Sequence, residues 1–212
     1  MSRVELLKIV FTALNNIDKN YITLPDLRYY IDRVEKINID HAQELVFSYE
    51  FYHQVRKIFD KTKNRKRKNH SFKPIVIQGE VDKRYQRVSA RPDFIIHTPG
   101  TKGGVAIIEV KTTRRSASKI INDLEKMKEI DRIVGGYQLL IEILIGTTNS
   151  IKNKINSLKQ EYFSRQCGNK ILIIGYDTGN GGLTYYTKDK EIKSLIDRLK
   201  ETTGINVESI DD

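Results

Sequence analysis

Cysteine is nearly absent from this sequence: Cys167 is the only one among 212 residues. A single thiol excludes a disulfide within the chain, and it leaves no credible cysteine-based zinc site. So little cysteine is typical of proteins in a reducing compartment, where disulfides are rare. We therefore expect a cytoplasmic protein.

The sequence also lacks a membrane-length apolar run, internal repeats, low-complexity tracts and any linker that would divide it. Its first residues, MSRVELLKIVFTALNN, form an amphipathic pattern, so neither a signal peptide nor a membrane span is expected. At 24.6 kDa the chain is long enough to bury one core without disulfides. We predict a main domain over residues 39–212, preceded by a helical extension over residues 1–38.

Acidic residues are outnumbered by basic ones, 27 against 37, which gives a formal net charge of +10. Six of the ten residues in KTKNRKRKNH (61–70) are Lys or Arg. Such a run is either a solvated loop or a loop that contacts phosphates, because clustered cations displace counterions from a polyanion. No lipid-facing apolar stripe accompanies the charge, so the predicted partner is nucleic acid. The residues expected to contact it are Arg65, Lys66, Arg67, Lys68, Arg114 and Arg115.

Hydrophobic periodicity changes along the chain and predicts an α/β fold. Helical spacing predicts helices over about 2–17, from Thr23, and over about 40–60. KPIVIQGEVDKRY, PDFIIHTP and GVAIIEVKTT then predict three successive strands, and a helix and the apolar strand YQLLIEILIG follow. This order predicts a mixed β-sheet with an αβββαβ core flanked by helices. The apolar stripe of the third helix comprises Ala42, Leu45, Val46, Tyr49, Tyr52 and Phe59.

Polar residues interrupt two of these apolar strands. Asp93 begins the second strand, and Glu109-Val110-Lys111 stands near the end of the third. Side chains alternate along a strand, so Glu109 and Lys111 share one face and Val110 points to the other. If the two strands form a hairpin, Asp93 lies beside Glu109, because each is five residues from an end of the connecting turn. The alternative is a purely structural arrangement, in which Asp93 is a solvated strand end and Glu109 and Lys111 form an ion pair on the surface.

Two carboxylates that converge beside one ammonium indicate a cation site. Like charges that close are costly unless a cation joins them, and hard oxygen ligands suit Mg²⁺. Lys111 beside the metal can orient or deprotonate a water, or stabilise the charge of a phosphate. Because these groups stand in apolar surroundings, we favour a functional site over a structural one.

Pro92-Asp93 followed by Glu109-Val110-Lys111 resembles the PD-(D/E)XK nuclease superfamily, whose restriction-endonuclease-like fold has the same αβββαβ order. The resemblance covers about residues 40–147. It implies that Asp93, Glu109 and the backbone carbonyl of Val110 bind Mg²⁺, with Mn²⁺ able to substitute, while Lys111 serves the attacking water. The implied activity is an endonuclease that hydrolyses phosphodiester bonds of double-stranded DNA, of restriction or another defence type. A homodimer with its seam at residues 1–38 would suit such an enzyme.

The resemblance also implies a further carboxylate from the helix before the strands. Glu44 and Glu50 are the candidates, and we prefer Glu50, because His53 lies on the same side of the helix. Glu80 is a possible outer ligand. Gln138 follows two glycines and opens the fourth strand, so we assign it no catalytic role.

Two other classes of function stay open. One is a non-catalytic DNA-binding or assembly module that keeps this fold; the other is an RNA-binding protein, for which Tyr185 and Tyr186 are the evident stacking pair. Phage, repair and transposition roles are open as well.

Overall fold

In the described part of the chain, seven strands form one mixed sheet, and their order in space follows their order in the chain. The computed structural model describes residues 1–18, 22, 39–66, 74–79, 91–101, 104–165 and 170–210. The strands are β1 (Val76–Gly79), β2 (Phe94–His97), β3 (Ala106–Thr112), β4 (Leu139–Gly146), β5 (Ile171–Asp177), β6 (Leu183–Tyr186) and β7 (Val207–Ser209). The helices are α1 (Arg3–Asn15), α2 (Ile39–Lys66), α3 (Ala117–Val134), α4 (Thr148–Leu158) and α5 (Lys190–Thr203); Lys159–Phe163 continues α4 with π-helical hydrogen bonding.

The direction of the strands divides the sheet into a hairpin part and a parallel part. β2 is antiparallel to both β1 and β3, whereas β3, β4 and β5 are parallel to one another. β6 returns antiparallel to β5, and β7 is parallel to β6. The sequence α2-β1-β2-β3-α3-β4 is the predicted αβββαβ order, so the predicted fold class is confirmed. The additional strand β7 was not predicted, because three residues are too short for an alternating pattern.

Helices cover both faces of the sheet, which gives three layers and two hydrophobic clusters. One cluster joins α1, α2 and α5 to one face, and the other joins α3 and α4 to the opposite face. The strands are therefore apolar on both sides: every residue of β5 is buried. In α1 the buried residues recur at helical spacing (Leu7, Val10, Phe11, Leu14), and the helix begins with a capping box between Ser2 and Glu5. Thus α1 belongs to the main core, and the boundary at residue 38 stays a prediction.

α2 differs from its prediction in two ways. It buries Phe47, Phe51 and Val55 against the sheet, whereas Leu45 and Tyr49 from the predicted apolar stripe are exposed. It also continues to Lys66 instead of ending near residue 60, so the first part of the basic run is helical and not a loop. The exposed stripe of α2 lies beside the polar residues described next.

Within the described residues, no helix has both the length and the apolar character needed to cross a membrane.

Candidate active site

The hairpin between β2 and β3 brings Asp93 and Glu109 together. Phe94 pairs with Ile108 in antiparallel register, so the next residue outward on each strand is Asp93 or Glu109. Asp93 Oδ2 accepts a hydrogen bond of 2.7 Å from the backbone N–H of Val110, which fixes the carboxylate against β3. The structure therefore places Asp93 beside Glu109, as the length of the turn predicted.

Lys111 places its ammonium group between these two carboxylates. Its Nζ lies 3.3 Å from Asp93 Oδ2, 3.0 Å from Glu109 Oε2 and 3.1 Å from the carbonyl oxygen of Val110. The Glu109 side chain is only 8% exposed and that of Lys111 18%, whereas that of Asp93 is 33% exposed. The three oxygen atoms expected to bind Mg²⁺ thus surround one cation, and Asp93 is the member open to solvent.

Two acidic residues that the sequence reasoning missed lie around the same ammonium group. Asp123 of α3 places Oδ2 3.9 Å from Lys111 Nζ and pairs through Oδ1 with Lys126 at 2.9 Å. Glu142 of β4 is the parallel register partner of Glu109 and is fully buried. Neither oxygen of Glu142 has a hydrogen-bond partner among the described residues. A single acidic residue inside the apolar run LLIEILIG was the available signal for Glu142.

Burial and mutual repulsion set the charges of this cluster. Burial, with the adjacent charge of Asp93, raises the pKa of Glu109 to about 8, although Lys111 opposes that rise. Burial also raises the pKa of Glu142 well above its ordinary value. For Lys111 burial acts to lower the pKa, but the surrounding carboxylates outweigh it and raise the pKa, so the ammonium stays charged. The cluster therefore favours a positive charge at its centre.

Of the two α2 carboxylates considered, the structure places Glu44 beside Asp93 in one cleft and the preferred Glu50 in another. Glu44 is buried; it accepts hydrogen bonds from the N–H of Thr112 at 3.0 Å and from Arg115 at 2.9 and 3.0 Å. Burial acts to raise the pKa of Glu44. The hydrogen bonds from Arg115 and Thr112 outweigh burial, so the pKa of Glu44 is lowered. Glu50 instead accepts from Gln54 and lines a separate cavity with His53 on the opposite edge of α2. Six residues in a helix turn the side chain through about 240°, which separates the two edges.

Arg115, which was predicted to contact DNA, forms an ion pair with Glu44 inside the protein. Its guanidinium binds both oxygens of Glu44, and this pair ties the end of β3 to α2. Arg114, beside it in the turn after β3, is exposed. Arg115 is thus a support for the site, and of these two residues Arg114 presents its side chain to solvent.

A cleft of about 380 Å³ opens between α2 and the start of β2. Asp93 and Val110 lie at one side of it, together with Glu44. Tyr52 forms part of the wall and stacks on Phe94, with ring centroids 6.0 Å apart. This cleft gives a ligand access to Asp93, while Glu109 and Lys111 lie on the α3 side of β3.

The remaining residues predicted from the sequence lie away from the cluster or outside the described residues. Arg65 and Lys66 belong to the last turn of α2, and Arg67, Lys68 and Glu80 lie outside the described residues. The side chain of Gln138 donates to the carbonyl of Met1 at 2.9 Å. Tyr185 and Tyr186 are buried, so the stacking pair considered for RNA is not exposed.

The donor set fits Mg²⁺ in its chemistry. Two carboxylates and a carbonyl are hard oxygen ligands, and Mg²⁺ is commonly held by one or two carboxylates, with water and substrate phosphate completing its shell. The described part of the chain contains no cluster of three or more acidic, histidine or cysteine side chains arranged to hold a metal. A metal here would therefore depend on the Val110 carbonyl and on the substrate.

No protein-family model, curated protein or solved structure matches this chain.

Proposed function

We propose that this protein is a Mg²⁺-dependent endonuclease that hydrolyses DNA phosphodiester bonds, of the restriction or another defence type. The observation that carries the proposal is the convergence of Asp93, Glu109 and the Val110 carbonyl on the ammonium group of Lys111, with Asp93 also lining an open cleft. The αβββαβ order, with Asp93 and Glu109 on adjacent strands, supports the resemblance to PD-(D/E)XK nucleases.

Each residue of the cluster has a distinct part in this proposal. Asp93, Glu109 and the Val110 carbonyl would hold the metal. When bound, Mg²⁺ would neutralise charge on the phosphate and make an attacking water more acidic. Lys111 keeps its proton because its pKa is raised, so it suits donating to a phosphate oxygen better than taking a proton from water. Glu44 acts indirectly, since its hydrogen bonds hold the end of β3.

The proposed substrate is double-stranded DNA in the cytoplasm. A net charge of +10 supports a polyanionic partner, and Arg114 is exposed in the turn that follows β3. A homodimer, one site for each strand, remains part of the proposal. The apolar residues of α1 are buried in the core of the subunit, so we no longer expect that helix to form the dimer interface.

A second candidate, a non-catalytic DNA-binding or assembly module, is favoured by one observation. Lys111 already pairs with Asp93 and donates a hydrogen bond to Glu109, so the cluster is held together without a metal. Buried pairs of this kind occur as structural elements that fix one conformation.

Incubation with supercoiled plasmid separates the two candidates. The proposed enzyme converts the plasmid to nicked or linear DNA in Mg²⁺ and leaves it intact in EDTA. A module instead retards the plasmid in a gel under both conditions without cutting it. Lys190→Ala, an exposed lysine at the start of α5, is the control for Lys111→Ala.

A further inference from the structure

The exposed stripe of α2 forms an aromatic wall directly beside Asp93. Tyr49 is 65% exposed and Leu45 36%, although both occupy positions that the helical pattern predicts to be buried. Both residues line the cleft of about 380 Å³, a size within the range of small-ligand pockets, about 300–1,000 Å³. Large apolar side chains that stay exposed together beside a polar site mark a place for a ligand or partner.

The neighbouring side chains limit what this wall can bind. Tyr52 is committed to the domain, because its ring stacks on Phe94 and its hydroxyl accepts from Arg56. Tyr49, one turn earlier on the helix, offers its ring to the cleft. Arg56, two turns after Tyr49 on the same face, adds an exposed guanidinium. The exposed ring of Tyr49 suits the flat apolar base of a nucleotide, and the guanidinium of Arg56, outside the cleft on the same helix face, suits a phosphate.

We propose that this cleft binds an unpaired nucleobase stacked on Tyr49, so that the site prefers double-stranded DNA with a bulged, gapped or single-stranded nucleotide next to the cut. The inference rests on the proposed function and names the substrate class of that site. Base–aromatic stacking stabilises a complex whatever the base. In a fully paired duplex both faces of each base are covered by its neighbours, so only an unpaired or extruded base can use the ring. The net charge of +10 suits this polyanion better than an apolar peptide.

The test is equilibrium binding in EDTA, where no cleavage occurs. Fluorescence anisotropy compares a paired duplex with the same duplex carrying a three-nucleotide bulge that contains 2-aminopurine. We expect the wild type to prefer the bulged DNA and to quench the 2-aminopurine by stacking. Tyr49→Ala should lose about 5- to 150-fold in affinity for the bulged DNA and lose the quenching. Tyr49→Phe, which keeps the ring, should retain both.

The control is Ile133→Ala, which removes another exposed apolar side chain, on α3. Equal affinity of the wild type for paired and bulged DNA, or identical behaviour of Tyr49→Ala and Ile133→Ala, would overturn the inference. A change in oligomeric state of Tyr49→Ala in sedimentation, with DNA binding unchanged, would instead assign the wall to a protein contact and overturn it as well. The wild-type preference and quenching decide the matter even if Tyr49→Ala fails to fold. Mg²⁺-dependent cutting of paired plasmid with no bulge preference would remove this inference alone; bulge binding without any cutting would remove the proposed enzyme alone.

Discussion

Metal binding to this site should release a proton, and the affinity for Mg²⁺ should therefore fall as the pH is lowered. The reason is Glu109, whose pKa is raised to about 8 by burial and by the adjacent charge of Asp93. A carboxyl group binds Mg²⁺ only when it is ionised, so at neutral pH the proton must leave before the metal can bind. Lys111 is charged throughout this range because its pKa is raised, so Glu109 dominates the dependence.

The size of the effect follows from the distance between the pH and the pKa. Below about pH 8 the ionised fraction of Glu109 falls about tenfold for each pH unit, and the apparent affinity falls with it. Between pH 8, where about half of Glu109 is ionised, and pH 6 the loss should be about 50-fold, or roughly 2.3 kcal/mol of binding free energy. Above about pH 9 the affinity should become constant.

Isothermal titration calorimetry with Mg²⁺ or Mn²⁺ measures both quantities. Titrations at pH 6, 7 and 8 in two buffers of different ionisation enthalpy give the affinity and the number of protons released. We expect about one proton at pH 6 and fewer at pH 8. Glu109→Gln should bind the metal weakly and release none, and Glu201→Gln, an exposed residue of α5, should resemble the wild type. An affinity that is constant from pH 6 to pH 8 would refute the assignment of Glu109 as a metal ligand.

Three further predictions concern the stability of the cluster, the reacting lysine and the basic run. Burial raises the pKa of Glu142, so the folded state holds a proton that the unfolded state loses above about pH 4.5, and stability should fall as the pH rises from 5 to 8. Glu142→Met should flatten this fall, because the variant lacks the unpartnered buried carboxyl. In urea titrations at pH 8 the free energy of unfolding should rise by about 1–3 kcal/mol. An equally steep fall in the variant would mean that Glu142 is not the source of the pH dependence. Lys111→Ala should lower the cleavage rate by about 10²–10³ in single-turnover assays and leave DNA affinity nearly unchanged, whereas equal losses in both would make Lys111 a general phosphate anchor. The third variant has serine at four positions of the basic run, Arg65, Lys66, Arg67 and Lys68. If these residues contact phosphates, the slope of log DNA affinity against log salt concentration should become shallower by about 0.9 for each lost contact. Equal slopes for the variant and the wild type would make the run a solubilising segment.

The strand part of the site was predictable because the period of a strand leaves little freedom. Alternation alone places Glu109 and Lys111 on one face and Val110 on the other, and Val110 does pack in the α2 cluster. The length of the connecting loop places Asp93 opposite Glu109, since loop length sets the register of a hairpin. These two rules need no knowledge of the rest of the fold.

The helix part of the site was not predictable in the same way. α2 carries apolar residues on two stripes, one with Phe47 and Phe51 and one with Leu45 and Tyr49. Periodicity detects both stripes, but only packing against the sheet decides which is buried. Which of Glu44 and Glu50 lies beside Asp93 depends on that phase, so the predicted stripe favoured the carboxylate that the structure places in the other cavity. Glu142 was missed for a related reason: a partner on the next parallel strand is visible only when the order of strands is known.

The most direct test of the central claim is the cleavage of supercoiled plasmid by Asp93→Ala in Mg²⁺, with Glu201→Ala as the matched loss of one exposed carboxylate. Asp93 is the best-exposed oxygen ligand of the cluster, so its removal should abolish metal-dependent cutting. DNA binding in EDTA should stay near the wild-type level, because losing an anion relieves its repulsion of phosphate. We predict intact plasmid with Asp93→Ala and cut plasmid with Glu201→Ala. Cutting by Asp93→Ala at the wild-type rate would contradict the assignment of this cluster as the active site.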